Sequence, residues 1–189
     1  MELPNKKYQI IYADPPWQNT LGSKNGKKNN AHYPFMTLDE ITNMPIAEIA
    51  DTNCALFLWV TFPELRDGIA TMEKWGFKYK TCAFAWIKSN KRNTDPAVFD
   101  PFLGLGSWSR SNTEICLLGF KGKLIRQSAK VRQIVYSPIE AHSKKPDEVR
   151  QRIVELTGDL LRIELFARQV VAGWDSWGNE TDKFDGVTP

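Results

Sequence analysis

Apolar residues in this chain come in short unbroken runs, separated by stretches with helical spacing. Tyr8-Gln9-Ile10-Ile11-Tyr12-Ala13 is rich in β-branched and aromatic residues and reads as a buried strand. Residues 54–60, Cys-Ala-Leu-Phe-Leu-Trp-Val, read the same way, as do 80–87, 114–120 and 160–166. Between them, Thr37 and Glu40 form a capping box that opens a helix, and Pro45 interrupts it and starts a second short one. Residues 63–75 put Leu65, Ile69, Met72 and Trp75 on one helical face, which ends at Gly76. Pro146 suits the first position of a further helix, whose buried stripe is Val149, Ile153 and Leu156. Strands this apolar, alternating with helices, predict an α/β fold with a largely parallel sheet covered on both faces. There is no internal repeat and no clear linker, so residues 1–189 are expected to form one domain.

Composition narrows the class. A chain of 189 residues can bury its own core, and a 42% apolar content with seven Trp excludes general disorder. No apolar run reaches the roughly 20 residues of a membrane-spanning helix, so no membrane partner is expected. Met1 to Lys7 has no apolar region behind its charges, which predicts a cytoplasmic protein without a secretory signal. Cys54, Cys82 and Cys116 lie in or beside strand-like runs without C-x-x-C spacing, and the chain has two His. Buried thiols are expected there, with no disulfide and no metal site.

The net charge of +3 is modest but unevenly spread. Lys24, Lys27 and Lys28 share a Gly/Asn-rich stretch at 22–32, Lys88, Lys91 and Arg92 follow a strand, and Lys121, Lys123, Arg126, Lys130 and Arg132 occur without an intervening acid. Any one cluster can be a solvated surface; three in loop-like segments favour a nucleic-acid partner.

The most informative residues follow the first strand: Asp14-Pro15-Pro16-Trp17. The prolines fix the backbone and bring no N–H, so the turn should offer carbonyl acceptors beside the Asp14 carboxylate. With the Trp17 indole, this set suits a planar base with an exocyclic amine. An isolated motif of this kind is equally compatible with a plain turn followed by a core Trp. A Walker-type strand ending in Asp is a third reading, but it requires a phosphate loop of the G-x-x-x-x-G-K-[ST] type, which the chain lacks.

Taken in order along the chain, several segments decide between these readings. They are Ala13 to Trp17, Tyr33 to Ile41, Leu56 to Thr61, Trp86 to Asn90, Glu114 to Gly119, Lys145 to Glu148, Ile163 to Arg168 and Gly173 to Glu180. In this series the chain resembles the adenine N6-methyltransferase family that includes the catalytic subunit of the messenger-RNA adenosine methyltransferase and many bacterial and phage DNA enzymes. The resemblance implies a Rossmann-like, S-adenosylmethionine-dependent fold of permuted order, with the catalytic strand ahead of the cofactor strand. That order accounts for the lack of a Gly-rich loop after the first strand.

The resemblance also implies roles for individual residues. Asp14, Pro15, Pro16 and Trp17 would form the catalytic turn. Asp14, Lys145, Glu164, Phe166, Arg168, Asn179 and Glu180 would hold S-adenosyl-L-methionine, with Glu164 accepting from both ribose hydroxyls. Trp17, Tyr33, Trp59, Lys88, Arg110, Asn112 and Glu114 would meet the substrate. Gln169-Val170-Val171 departs from the messenger-RNA enzyme, which has polar cofactor contacts there. The chain also carries no added RNA-binding modules and looks more like the phage and bacterial members.

The implied chemistry starts from a poor nucleophile. The lone pair of adenine N6 is delocalised, and N–H donation to Asp14 and to the Pro15 carbonyl would free it towards a sulfonium methyl. Positioning would supply most of the catalysis, and the loss of the sulfonium charge removes the need for a metal. A duplex substrate must first release its base from the stack. Adenine in DNA is the expected target, with basic loops on the phosphates and the 88–112 loop as reader, its Trp108 wedging or stacking. An RNA substrate, or a non-catalytic relative that supports a partner subunit or a second copy, are the alternatives.

Overall fold

The computed structural model describes residues 2–17, 36–92, 95, 97–106, 108–140 and 144–181. Its elements in chain order are β1 (Tyr8–Ala13), α1 (Leu38–Thr42), a 3₁₀ turn (Ile46–Glu48), β2 (Ala50–Val60), α2 (Leu65–Lys74), β3 (Lys78–Ser89), β4 (Thr113–Lys121), β5 (Ile134–Pro138), α3 (Glu148–Thr157), β6 (Arg162–Leu165) and β7 (Asp175–Trp177). They form one seven-stranded sheet in the order β5-β3-β4-β2-β1-β6-β7. β1 pairs in parallel with β2 and β6, β6 with β7, and β3 with β5. β4 is antiparallel to both β2 and β3, so it alone runs against the others.

Side-chain alternation explains the unbroken apolar runs, because each strand must fill two faces. Ile11, Leu56, Leu58, Val60, Leu117 and Ile163 point to the face covered by Ile41 of α1, Ile46 of the turn, and Met72 and Trp75 at α2. Ile10, Tyr12, Phe57, Trp59, Cys116 and Val135 point to the other face, against Val149 and Ile153 of α3. The expected capping box is present, with Thr37 Oγ1 accepting from Glu40 N and Glu40 accepting from Thr37 N. Cys54 and Cys116 are buried thiols, whereas Cys82, expected to be buried, is only half-buried.

The structure departs from the sequence reading at the edges. β5 and β7 were not expected; they are short, outermost strands without a continuous apolar run. The strand expected at 160–166 is β6, of four residues rather than seven. Leu161 accepts from Gln9 and Ile10 outside the strand, and Phe166 turns away with φ of 60°. Pro146 precedes the cap Asp147 instead of starting α3.

Candidate active site

β1 delivers Asp14 to the carboxyl edge of the parallel strands, where open α/β sheets bind ligands. Its Oδ2 lies 2.7 Å from Lys145 Nζ. The same ammonium lies 3.1 Å from Glu114 Oε2, and the other Glu114 oxygen meets Lys88 Nζ at 2.5 Å. Asp14, Lys145, Glu114 and Lys88 thus form a line of alternating charges that crosses from β1 to β3 above the strand ends. Two indoles floor it: Lys145 Nζ sits 5.6 Å from the Trp59 ring centroid and Lys88 Nζ 4.9 Å from that of Trp86.

Position in the line sets each group's affinity for its proton. Burial pushes the Asp14 carboxyl above its ordinary value; Lys145 opposes this and Glu114 adds to it. Burial works in the same direction on Glu114, but Lys145 and Lys88 outweigh it and hold Glu114 at about 2. For Lys145 burial disfavours the ammonium, and its two carboxylate partners prevail, so it stays charged. The two carboxylates therefore differ: one keeps a raised proton affinity and the other is locked as an anion.

The turn is more occupied than expected. Trp17 N donates to the Pro15 carbonyl at 2.8 Å, and Met36 N to the Pro16 carbonyl at 3.2 Å. Prolines remove donors from within the motif, but the next residue and a neighbouring segment supply them. Each carbonyl keeps a second lone pair. The Trp17 indole donates to the Trp59 carbonyl at 2.9 Å and packs half-buried against the α2-side core. Trp59 itself, expected at the substrate surface, is completely buried and donates to Tyr12 Oη at 2.6 Å. Its length of apolar strand takes it into the core, where it supports Lys145 from beneath.

The other expected residues divide into two groups. Phe166, Arg168, Asn179 and Glu180 join Asp14 around a cavity of about 210 Å³ that also touches Pro16, Met36 and Trp177. Arg168 Nε lies 3.6 Å from Glu180 Oε2, and the Phe166 ring meets Trp177 edge-on at 5.6 Å. A Cβ on Gly178 would fall 2.5 Å from the Ala167 carbonyl oxygen, so only glycine permits this close approach of the two chain segments. Glu164 stands apart from the expectation: both its oxygens accept from Arg150, at 2.6 and 2.7 Å, and it is 7% exposed. Its carboxylate is thus engaged bidentately, and the residue lines a smaller cavity with Asp14, Lys145, Phe166 and Arg168.

On the substrate side, Asn112 is anchored through its carbonyl, which accepts from Lys88 N at 2.8 Å, while Arg110 is exposed. Tyr33 and the Lys24–Lys28 cluster lie outside the described residues. Lys121 and Lys123 do not share this end of the sheet: Lys121 Nζ donates to the Ala47 and Ala50 carbonyls at the amino end of β2, and Lys123 N to Asn53 Oδ1. Arg150 and Trp86 are neighbours of the site that the sequence does not single out as site residues. A hint existed for Arg150, a cation beside Val149 on the buried side of its helix.

The cleft chemistry fits S-adenosylmethionine. Arg168, with Lys145 behind it, could hold a carboxylate, Asn179 and Glu180 could meet hydroxyls, and Phe166 and Trp177 offer aromatic surface.

A Rossmann-like sheet with this acidic, proline-fixed turn at the edge of such a cleft defines a methyltransferase. The chain belongs to the MT-A70 family, whose model matches residues 8–180, and is an adenine N6-methyltransferase of that family. It is similar to the type II methyltransferase M.MunI of Mycoplasma sp, with 37% identity covering 95% of this chain and 80% of the relative. Similarity extends to the N(6)-adenine-specific methyltransferase METTL4 of Homo sapiens, at 32% identity over 96% of this chain and 39% of that protein. The N6-adenosine-methyltransferase non-catalytic subunit MTB of Arabidopsis thaliana is 34% identical over 67% of this chain, which spans 16% of it.

Proposed function

We propose that this chain transfers a methyl group from S-adenosylmethionine to N6 of adenine in DNA, with Asp14 as the acceptor that orients the amine. One observation carries the reading: Asp14 lies where the cleft at Phe166–Glu180 meets the charge line through Lys145 and Glu114. When bound, S-adenosylmethionine supplies an electrophilic methyl on a sulfonium. Lys145 fixes the Asp14 carboxylate so that one oxygen faces the incoming amine. The free lone pair of the Pro15 carbonyl takes the second N–H. Adenine N6 turns acidic as it is alkylated, and Asp14, with its raised proton affinity, is suited to take the released proton at that stage. Lys145 and Arg168 would hold the cofactor's carboxylate, and Asn179 and Glu180 its ribose hydroxyls; Glu164 holds Arg150.

DNA is favoured because a type II methyltransferase, a DNA-modifying class, is similar over most of its own length. Similarity to a non-catalytic subunit leaves catalysis to be judged on the motif, and Asp14 to Trp17 is intact. The test is incubation with labelled S-adenosylmethionine and a panel of DNA and RNA oligonucleotides, followed by nucleoside mass spectrometry. N6-methyladenine in DNA is expected. Label confined to RNA, or to neither, would overturn the reading.

A further inference from the structure

The loop between β3 and β4 displays apolar side chains to water. Trp108 is fully exposed, at 101% of its reference area, and Leu105 is 92% exposed. Phe99 and Leu103, at 72% and 66%, stand nearby in sequence. An exposed group of this kind marks a surface that meets a partner.

The loop is braced at its base. Asp100 N donates to Tyr136 Oη at 2.6 Å, Asn90 Nδ2 to Asp100 Oδ1 at 2.8 Å, and Phe102 N to the Lys88 carbonyl at 2.7 Å. The Phe99 ring lies 5.4 Å from that of Tyr136. Further out, the two arms touch backbone to backbone. A Cβ on Gly104 would lie 1.6 Å from the Ser111 carbonyl oxygen, and one on Gly106 would lie 1.9 Å from that of Ser109. The space between the arms is therefore closed to side chains, and Leu105 and Trp108 stand outside it.

Both roots of the loop belong to the site. Lys88 binds Asn112 through its backbone and Glu114 through its side chain, and Glu114 shares Lys145 with Asp14. The exposed cations Lys91, Arg92 and Arg110 lie on the same loop as two carboxylates, Asp95 and Asp100, the second of which accepts from Asn90.

We propose that Trp108, with Leu105 beside it, enters the base stack of duplex DNA and fills the space left by the target adenine. The proposal rests on the reading of the chain as a DNA adenine methyltransferase. Adenine N6 cannot reach Asp14 from within a duplex, and the base must swing out. Apolar side chains inserted at a base step lower the penalty of that unstacking, and flanking cations hold the phosphates meanwhile. Lys91, Arg92 and Arg110 outnumber Asp95 and Asp100, so the loop carries a net positive charge that suits a polyanion better than a second copy with the same loop.

The test compares Trp108→Ala and Trp108→Phe with wild type on native and heat-denatured genomic DNA. Trp108→Ala should lose about tenfold or more of its methylation of native DNA, the scale of one base stacked on one aromatic ring. On denatured DNA it should stay within about twofold of wild type, and Trp108→Phe should recover most of the native activity. With 2-aminopurine at a mapped target, the fluorescence rise on binding should be present in wild type and lost in Trp108→Ala. Equal losses on both DNA forms, or none on either, would overturn the wedge. A variant that sediments differently from wild type would assign the loop tip to contacts between copies and also overturn it. Wild type inactive on both DNA forms would sink the DNA reading itself, a failure distinguishable because it precedes any variant.

Discussion

β4 has a cation-bearing loop at each end, and the two loops share their Lys and Arg but are opposite in placement. The loop before β4 leaves β3 at Ser89 and returns beside it, with Ile87 opposite Thr113 and Val60 opposite Ile115. The loop after β4 starts where Lys121 lies opposite Cys54, is tied to Asn53 through Lys123 N, and reaches the last turn of α3 through Gln127 N and the Leu156 carbonyl. Reversal of one strand thus puts Lys91, Arg92 and Arg110 by the active site and Lys123 and Arg126 at the far end of the sheet. A count of Lys and Arg cannot show this. At the active end, moreover, the decisive charges are buried and paired, whereas those of the far loop are largely solvated.

Four changes test that contrast. Asp14→Ala should have the largest effect, lowering methyl transfer by about a thousandfold or more, within the range of lost orientation and proton acceptance. Lys145 keeps Glu114 as a partner in this variant, so the melting temperature should hold within a few degrees. Near-normal turnover would remove Asp14 from the chemistry.

Glu164→Ala comes next and acts on stability. It strands the Arg150 guanidinium in the core with one remaining partner, Asp147 at 2.6 Å. Losing half of a buried pair costs about 3 kcal/mol, or on the order of 10 °C in melting temperature for a domain of this size. Glu164→Gln, which retains an acceptor, should lose less. An unchanged melting temperature with weakened S-adenosylhomocysteine binding would instead make Glu164 a cofactor ligand.

Acid should separate the two carboxylates of the charge line. Glu114 in the folded protein sits at about 2, below its ordinary 4.5. Its contribution is therefore fully present above about 4.5 and is lost as the pH falls through about 2. The shift corresponds to about 3 kcal/mol shared with Lys88 and Lys145, measurable by urea unfolding between those values. Asp14 is shifted the other way and takes up its proton at a higher pH than an ordinary aspartate. The acid limb of kcat/KM should thus fall while the fold is still at full stability. Loss of activity and of structure at the same pH would contradict the assignment.

The smallest effect should distinguish the two loops. Removing Arg92 and Arg110 together should weaken DNA binding by about tenfold and lower its salt dependence by up to two phosphate contacts. Removing Lys123 and Arg126 should change neither by more than about twofold. Equal effects in filter binding across a salt series would mean that DNA also tracks the far end.

Much of this organisation was legible in the residues. The core strands were, because Ile10 to Ala13 and Ala55 to Val60 are apolar at every position, a requirement of strands covered on both sides. The Asp14 turn was, because its prolines leave little conformational choice. β5 and β7 were not, since an edge strand needs a neighbour more than it needs an apolar pattern. Nor was the fate of Trp59 or Glu164: both stand on strands where face alternates with each residue, and only the packed sheet shows what lies opposite. The reversal of β4 left no mark either, since its buried stretch reads the same in both directions. The family resemblance pointed to Phe166, Arg168, Asn179 and Glu180, which line one cleft and which composition and spacing alone would not have singled out.

Pairing of the loop roots has an engineering consequence. Lys88, near the end of β3, and Asn112, just before the antiparallel β4, lie side by side, so the chain enters and leaves the loop at almost one point. Length added between such points adds little closure entropy and leaves the strand order undisturbed. The segment from 91 to 111 is accordingly a cassette, and grafting the corresponding stretch of another family member onto these roots should exchange target preference while retaining this chain's sheet and cleft.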